Sequence, residues 1–201
     1  HTGLRCDWSS DVCSSDLNPR RPVAAVIGGA KVSSKLAVLG NLVGRVDLLI
    51  IGGGMANTFL HAQGIAVGKS LCEPDLADTA RDIMARAEAA GCEVILPSDA
   101  VTATRFAGGA PSRVTAIDAV GEDDMILDIG PVSAAAMADR LEGVATLVWN
   151  GPLGAFELAG FDQGTTLVAR AAATLTRAGS LISVAGGGDT VAALAHADAL
   201  D

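Results

Sequence analysis

The sequence predicts an α/β domain: a Rossmann-like, three-layer arrangement with a mostly parallel sheet covered by helices on both faces. Three observations lead there. From Pro22 onward short apolar runs alternate with helical stretches, the texture of repeated strand–helix–strand units. The runs are unbroken rather than alternating in polarity, as in strands buried on both faces. Glycines gather just after the runs, at Gly28-Gly29, Gly52-Gly53-Gly54, Gly151 and Gly186-Gly187-Gly188, on the carboxyl edge where open parallel sheets bind ligands.

Taken in order, Val23 to Ile27 reads as the first strand, and Ser33 opens a helix to about Leu42. Asp47 to Ile51 is a second strand, followed by a helix from Met55 towards Gln63. Across Pro74 to Ala90, Leu76, Ala80, Ile83, Met84 and Ala87 share one face of an amphipathic helix, with Gly91 as its C-cap. Glu93 to Leu96 is a strand. Asp99 to Asp124 reads as loop with one strand at Arg113 to Ile117. A strand at Met125 to Ile129, a helix at Ser133 to Leu141 and a strand at Thr146 to Trp149 come next. Thr165 to Arg177 is a helix, Leu181 to Val184 the last strand, and Thr190 to Ala199 the last helix. Residues 1–17, with a repeated Ser-Ser-Asp and no period, read as a non-native or disordered leader. Residues 18–201 form the domain.

Half of the 201 residues are apolar, enough for a sizeable core, and the net charge is −9. That charge lacks the basic surface that nucleic acid or an anionic membrane would require. Four Phe, two Trp and no Tyr make a base-stacking platform unexpected. No apolar run has membrane-spanning length, so no membrane partner is expected and a cytoplasmic monomer is. Cys6, Cys13, Cys72 and Cys92 show no Cys-x-x-Cys spacing, which indicates free thiols rather than zinc or a disulfide framework.

Three stretches carry candidate chemistry. In Ser180 to Thr190 an apolar strand runs into Gly186, Gly187 and Gly188, then Asp189-Thr190 and a helix. Orphan amides at such a helix start favour an anion, and Asp189 there either caps the helix or faces a cation. Two of the three lysines, Lys31 and Lys35, follow Gly28-Gly29 and share a face of the next helix. Cations at a helix start oppose its dipole unless an anion sits there; otherwise they are solvated surface lysines. In Thr146 to Glu157 a strand delivers Asn150 and Gly151 to the sheet edge, Pro152 and Gly154 shape a turn, and Glu157 could accept both hydroxyls of a ribose. A buried Trp149 and an ordinary polar turn is the plainer reading. Gly64 to Ser70 fails as a Walker A loop, being one residue short and following a helix. Gly52-Gly53-Gly54-Met-Ala-Asn57 fails as a dinucleotide fingerprint at Asn57.

Gly-Gly-Ala-Lys-Val-Ser-Ser-Lys, Ile-Ile-Gly-Gly-Gly-Met-Ala-Asn-Thr-Phe, Gly-Lys-Ser-Leu, Leu-Asp-Ile-Gly-Pro, Val-Trp-Asn-Gly-Pro-Leu-Gly-Ala-Phe-Glu and Ala-Gly-Gly-Gly-Asp-Thr follow one another in this order. Together they closely resemble the C-terminal, nucleotide-binding domain of phosphoglycerate kinase, from about Asn18 to Asp201. The resemblance implies a glycolytic transfer of a phosphoryl group from 1,3-bisphosphoglycerate to ADP, giving 3-phosphoglycerate and ATP. It implies that Lys35 neutralises the phosphoryl group, with Lys31 nearby. It further implies that Gly53 and Gly54 line the adenine pocket, that Glu157 holds the ribose, and that Asn150 and Pro152 border the nucleotide. Gly186, Gly187, Gly188 and Thr190 would cradle phosphates, and Asp189 would position Mg²⁺ with ADP or ATP. The family's N-terminal, phosphoglycerate-binding half has no counterpart here, and the chain stops before the family's next glycine-rich segment. Nucleotide binding without turnover is therefore expected of the chain alone. Two other readings stand beside this one: a non-catalytic adenine-nucleotide module, and a nicotinamide-dependent oxidoreductase, which Asn57 disfavours.

Overall fold

The computed structural model describes residues 19–200, so the leader expected at 1–17 lies outside the described residues. The chain runs β1 (Val23–Ile27), α1 (Leu36–Leu42), β2 (Leu48–Ile51), α2 (Gly53–Ala62), α3 (Ala77–Ala89), β3 (Glu93–Ile95), β4 (Asp99–Ala103) and β5 (Ser112–Ala116). It continues through β6 (Met125–Ile129), α4 (Pro131–Leu141), β7 (Thr146–Asn150), α5 (Gln163–Arg177), β8 (Ile182–Ala185) and α6 (Gly188–His196). Short 3₁₀ turns lie at Pro74–Leu76 and Ile117–Ala119.

β1, β2, β3, β7 and β8 form a five-stranded sheet in the order β3-β2-β1-β7-β8, parallel throughout. Successive side chains of a strand point to opposite faces, and β1 uses both. Ala24 and Val26 pack with Met137 and Leu141 of α4, Val168 and Ala172 of α5, and Leu194 of α6. Val23, Ala25 and Ile27 pack with Leu39 of α1, Met55 and Phe59 of α2, and Ala80 and Ile83 of α3. All five β1 residues are buried, which is why the run carries no polar residue. The α/β fold class, with helices on both faces of a mostly parallel sheet, is the one the sequence predicts. Among the described residues no helix is long and apolar enough to cross a membrane.

The stretch from Asp99 to Asp124 departs from expectation. Asp99–Ala103 is a strand, not loop, and it heads a second, antiparallel sheet in the order β5-β4-β6. β6 therefore lies outside the parallel sheet. Its apolar composition suits either sheet, and pairing is decided by register and turns rather than by pattern. β4 hides two polar residues, Asp99 and Thr102, each with hydrogen-bond partners. Thr102 Oγ1 lies 3.2 Å from Thr115 Oγ1 on β5, and Asp99 receives the start of α4. α1 begins at Leu36 rather than Ser33 because the preceding residues form a tied turn. The Ser33 amide and hydroxyl donate to the two carboxylate oxygens of Glu73, at 3.0 and 2.5 Å, and Ser34 Oγ donates to Lys31 O at 2.7 Å.

Candidate functional site

From β1 the chain moves outward to β2 and β3 on one side of the main sheet, while β7 and β8 lie on the other. The carboxyl ends of β1 and β7 thus mark the point where strand order reverses, the usual ligand crevice of such sheets. The glycine-bearing loops meet there and are stitched together by backbone bonds. Gly28 N donates to Asn150 O at 2.9 Å, Gly29 N to Pro152 O at 3.1 Å, and Gly53 N to Leu153 O at 2.9 Å. Met55 N donates to Gly29 O at 3.0 Å, and Gly186 N to Trp149 O at 3.0 Å. A Cβ on Gly28 would stand 1.9 Å from Pro152 O, and one on Gly53, whose φ is +66°, 2.7 Å from Gly29 O. These glycines are required first by the close approach of one loop to another.

Lys35 reaches into this junction from the turn before α1. Its ammonium donates to Gly28 O at 2.8 Å, to Asn150 O at 3.0 Å and to Asn150 Oδ1. Burial lowers the Lys35 pKa below the ordinary lysine value, and the negative charge of Asp189 partly offsets this. Asn150 faces both ways, because its Nδ2 donates to Gly186 O at 2.9 Å. Thr190 is buried, and its hydroxyl is engaged internally, donating to Gly186 O and accepting from Gly151 N, both at 2.7 Å.

Helix starts at this edge differ in how their amides are used. The first turn of α2 donates to Leu153 O and Gly29 O, as given above. Asp99 accepts from Val132 N and Ser133 N of α4 at 3.0 and 2.8 Å. Asp128 accepts from Gly164 N of α5 at 2.8 Å. The first turn of α6 has no side-chain cap. Gly187 enters it at φ +98°, and a Cβ on Gly188 would have nothing within 4 Å. Orphan amides opening on free space beside a lysine form an anion-binding arrangement.

The structure thus brings together Lys35, Asn150, Pro152, Gly53, Gly186, Gly187 and Thr190. Gly54 follows within the first turn of α2, packed against Ala30 O. Gly188 and Asp189 are exposed at the mouth of α6, while Lys31 and Glu157 are exposed outside the hydrogen-bonded cluster. Among the described residues no three His, Cys, Asp or Glu side chains are grouped to hold a metal. A separate groove, lined by Leu60, Met84, Cys92, Leu96 and Ile117 among others, contains none of the cluster residues. Sequence reasoning passed over Glu73, which ties the lysine-bearing turn, and Thr165, whose hydroxyl accepts from Leu153 N at 3.0 Å. It treated Asp128 only as part of a motif, although an acidic residue inside the apolar run Met-Ile-Leu-Asp-Ile was a visible signal.

Comparison with known proteins matches residues 11–201 to the family model for phosphoglycerate kinase. The phosphoglycerate kinase of Azorhizobium caulinodans is 63% identical over 181 residues, covering 90% of this chain and 46% of that protein. That of Sinorhizobium fredii is 61% identical over 184 residues, covering 92% and 46%. Among solved structures, phosphoglycerate kinase from Coxiella burnetii superposes with a TM-score of 0.86 at 44% identity, over 90% of this chain and 46% of that one. The enzyme from Pyrococcus horikoshii, at 24% identity and a TM-score of 0.66, shares the fold. The chain spans about half the length of the curated relatives it matches. With the fold, the order of its glycine loops and these relatives in agreement, the chain belongs to the phosphoglycerate kinase family.

Proposed function

We propose that this chain carries the ADP/ATP–Mg²⁺ half of a reversible phosphoryl transfer, in which 1,3-bisphosphoglycerate and ADP give 3-phosphoglycerate and ATP. The observation that carries the reading is the meeting of the Lys35 ammonium with the uncapped first turn of α6 at the strand-order reversal. Lys35 is held there by three uncharged oxygens. A phosphate offers it full negative charge instead, adding the attraction between two opposite charges to bonds that the ammonium alone already strengthens. Lys35 then neutralises the phosphoryl group in transit, and Lys31 is the second cation.

The amides of Gly187, Gly188, Asp189 and Thr190 receive phosphate oxygens, while the Thr190 hydroxyl keeps the loop in shape. Gly53 and Gly54 line the purine side, Asn150 and Pro152 border the nucleotide, and Glu157 accepts the ribose hydroxyls. Magnesium commonly binds through one carboxylate and substrate phosphates, and Asp189, exposed beside open amides, fits that role. Held by Asp189, magnesium would supply positive charge against the charge developing on the phosphates.

The phosphoryl group passes between an acyl-phosphate oxygen and a terminal oxygen of ADP, so positioning and charge carry the reaction and no general base is required. We place the phosphoglycerate side of the transfer in sequence outside these residues, a reading that relatives of about twice this length support. A cytoplasmic monomer fits the reading.

Calorimetric titration with MgADP tests it. Saturable binding at about millimolar or better is expected, equivalent to about −4 kcal/mol or stronger, weakened at least about tenfold by Lys35→Ala or Asp189→Ala. A folded chain without measurable binding, or binding untouched by both substitutions, would overturn the site. Turnover gained when the N-terminal half of a relative is added separates a kinase from a module that only binds nucleotide.

A further inference from the structure

The turn between β7 and α5 bears Pro152 and Glu157 and is fastened at three consecutive residues, Leu153 to α5 and Gly154 and Ala155 to β6 of the second sheet. Leu153 N donates to Thr165 Oγ1 at 3.0 Å. Ala155 N donates to Leu127 O of β6 at 2.7 Å. Between them lies Gly154, where a Cβ would stand 2.1 Å from Asp128 Oδ1. The other side of this turn supports the glycine loops through Pro152 O and Leu153 O. Asp128 is 1% exposed, with Oδ1 accepting from Ile129 N at 2.9 Å and Oδ2 from Gly164 N at 2.8 Å. A Cβ on Gly164 would stand 2.7 Å from Oδ1, so turn and helix both close over the carboxyl with no spare room.

Resting on the nucleotide reading above, we propose that Asp128 is a positioning residue: its ionised carboxyl clamps the start of α5 and the Gly151–Glu157 turn to β6, and so holds the ribose-facing side of the site. Two N–H groups converge on its two oxygens, a demand that a carboxylate meets and an asparagine cannot, since the amide would turn an NH₂ towards one donor. No cation pairs with Asp128 among the described residues. The charged group facing it is Asp162, ahead of α5, whose own carboxylate lies 2.8 Å from His196 Nε2 of α6. Burial, with a smaller push from Asp162, outweighs the Gly164 and Ile129 amides and raises the Asp128 pKa to about 7. Protonation turns one of two acceptor oxygens into a hydroxyl, and the grip on Gly164 slackens. The clamp is therefore tight above about pH 7 and loose below it.

Two measurements on the 201-residue chain test this. The first is the ¹H–¹⁵N resonance of Gly164 between pH 5 and 9, which should titrate with a midpoint near 7; a flat resonance overturns the clamp whether or not nucleotide binds. The second is the MgADP affinity of wild type and Asp128→Asn at pH 5.5 and 8.5, where titration of ADP itself is common to both proteins. The ratio should be about tenfold at pH 8.5, the scale of a lost bond to a charged group, and should approach one at pH 5.5. A ratio that does not change with pH makes Asp128 merely structural and overturns the proposal. If Asp128→Asn does not fold, the Gly164 titration in wild type decides. A titrating Gly164 in a chain that never binds MgADP would retain the clamp and sink the nucleotide reading.

Discussion

Thr190 illustrates how a residue at a phosphate-type loop can serve the loop rather than the ligand. Its hydroxyl satisfies Gly186 O and Gly151 N at once, joining the loops after β7 and β8. Thr190→Val keeps the shape and leaves Gly151 N without its acceptor, while Gly186 O keeps its bond from Asn150 Nδ2; an unsatisfied buried polar group costs about 1–3 kcal/mol. Urea unfolding should register a loss of that size, while Thr190→Ser should recover most of it. If valine is as stable as threonine, the hydroxyl is not the link described. Lys35 and Asn150 were legible from sequence, because a lysine behind Gly-Gly and an asparagine ending an apolar run are unusual in their settings. The inward aim of the Thr190 hydroxyl was not, since it depends on which of two neighbouring loops lies closer, and nothing in a single string records that distance.

At the level of elements, apolar runs ending in glycine identified β1, β2 and β7, the strands whose carboxyl ends build the site. β4 escaped because it carries Asp99 and Thr102, the composition of a loop. Its polar groups are tolerable only because partners meet them. Asp99 receives the Val132 and Ser133 amides, and the Ser133 hydroxyl at 2.5 Å. One side chain thereby caps α4 on the main sheet while belonging to the second sheet. Asp99→Ala removes a helix cap and leaves the Ser133 hydroxyl only its longer bond, 3.2 Å, to the backbone carbonyl of residue 99, for a combined cost of about 2–3 kcal/mol. Denaturant midpoints measure this, and a change below about 0.5 kcal/mol, typical of unconstrained surface positions, would contradict the joint role. β6 was correctly seen as a strand but assigned to the wrong sheet, for the register reason already given.

For the whole molecule, the buried Asp128 couples stability to pH. Its folded value of about 7 lies above the ordinary 3.8, so between those values the folded chain keeps a proton that the unfolded chain has released. Stability therefore falls as pH rises across this window and levels off above it. The contribution is at most about 4 kcal/mol. Thermal melts from pH 4.5 to 8, taken as the difference between wild type and Asp128→Asn, isolate it; parallel curves would show that the group titrates normally.

The placement of β1 at the centre of the main sheet has a further consequence during synthesis. Lys35 and its acceptor Asn150 are 115 residues apart, and β7, the neighbour on one side of β1, arrives only with Asn150. At about 5–20 residues per second, the ribosome leaves that edge of Val23–Ile27 bare for on the order of ten seconds after the first strands have emerged. During that interval the nascent chain offers an unpaired apolar strand to any other chain nearby, and a ligand of the proposed site could give no protection because the loops after β7 and β8 do not yet exist. The protein's exposure to misassembly is thus set by the order of elements along the chain: β7 closes that edge of β1, and the Gly186–Thr190 loop follows only later in synthesis.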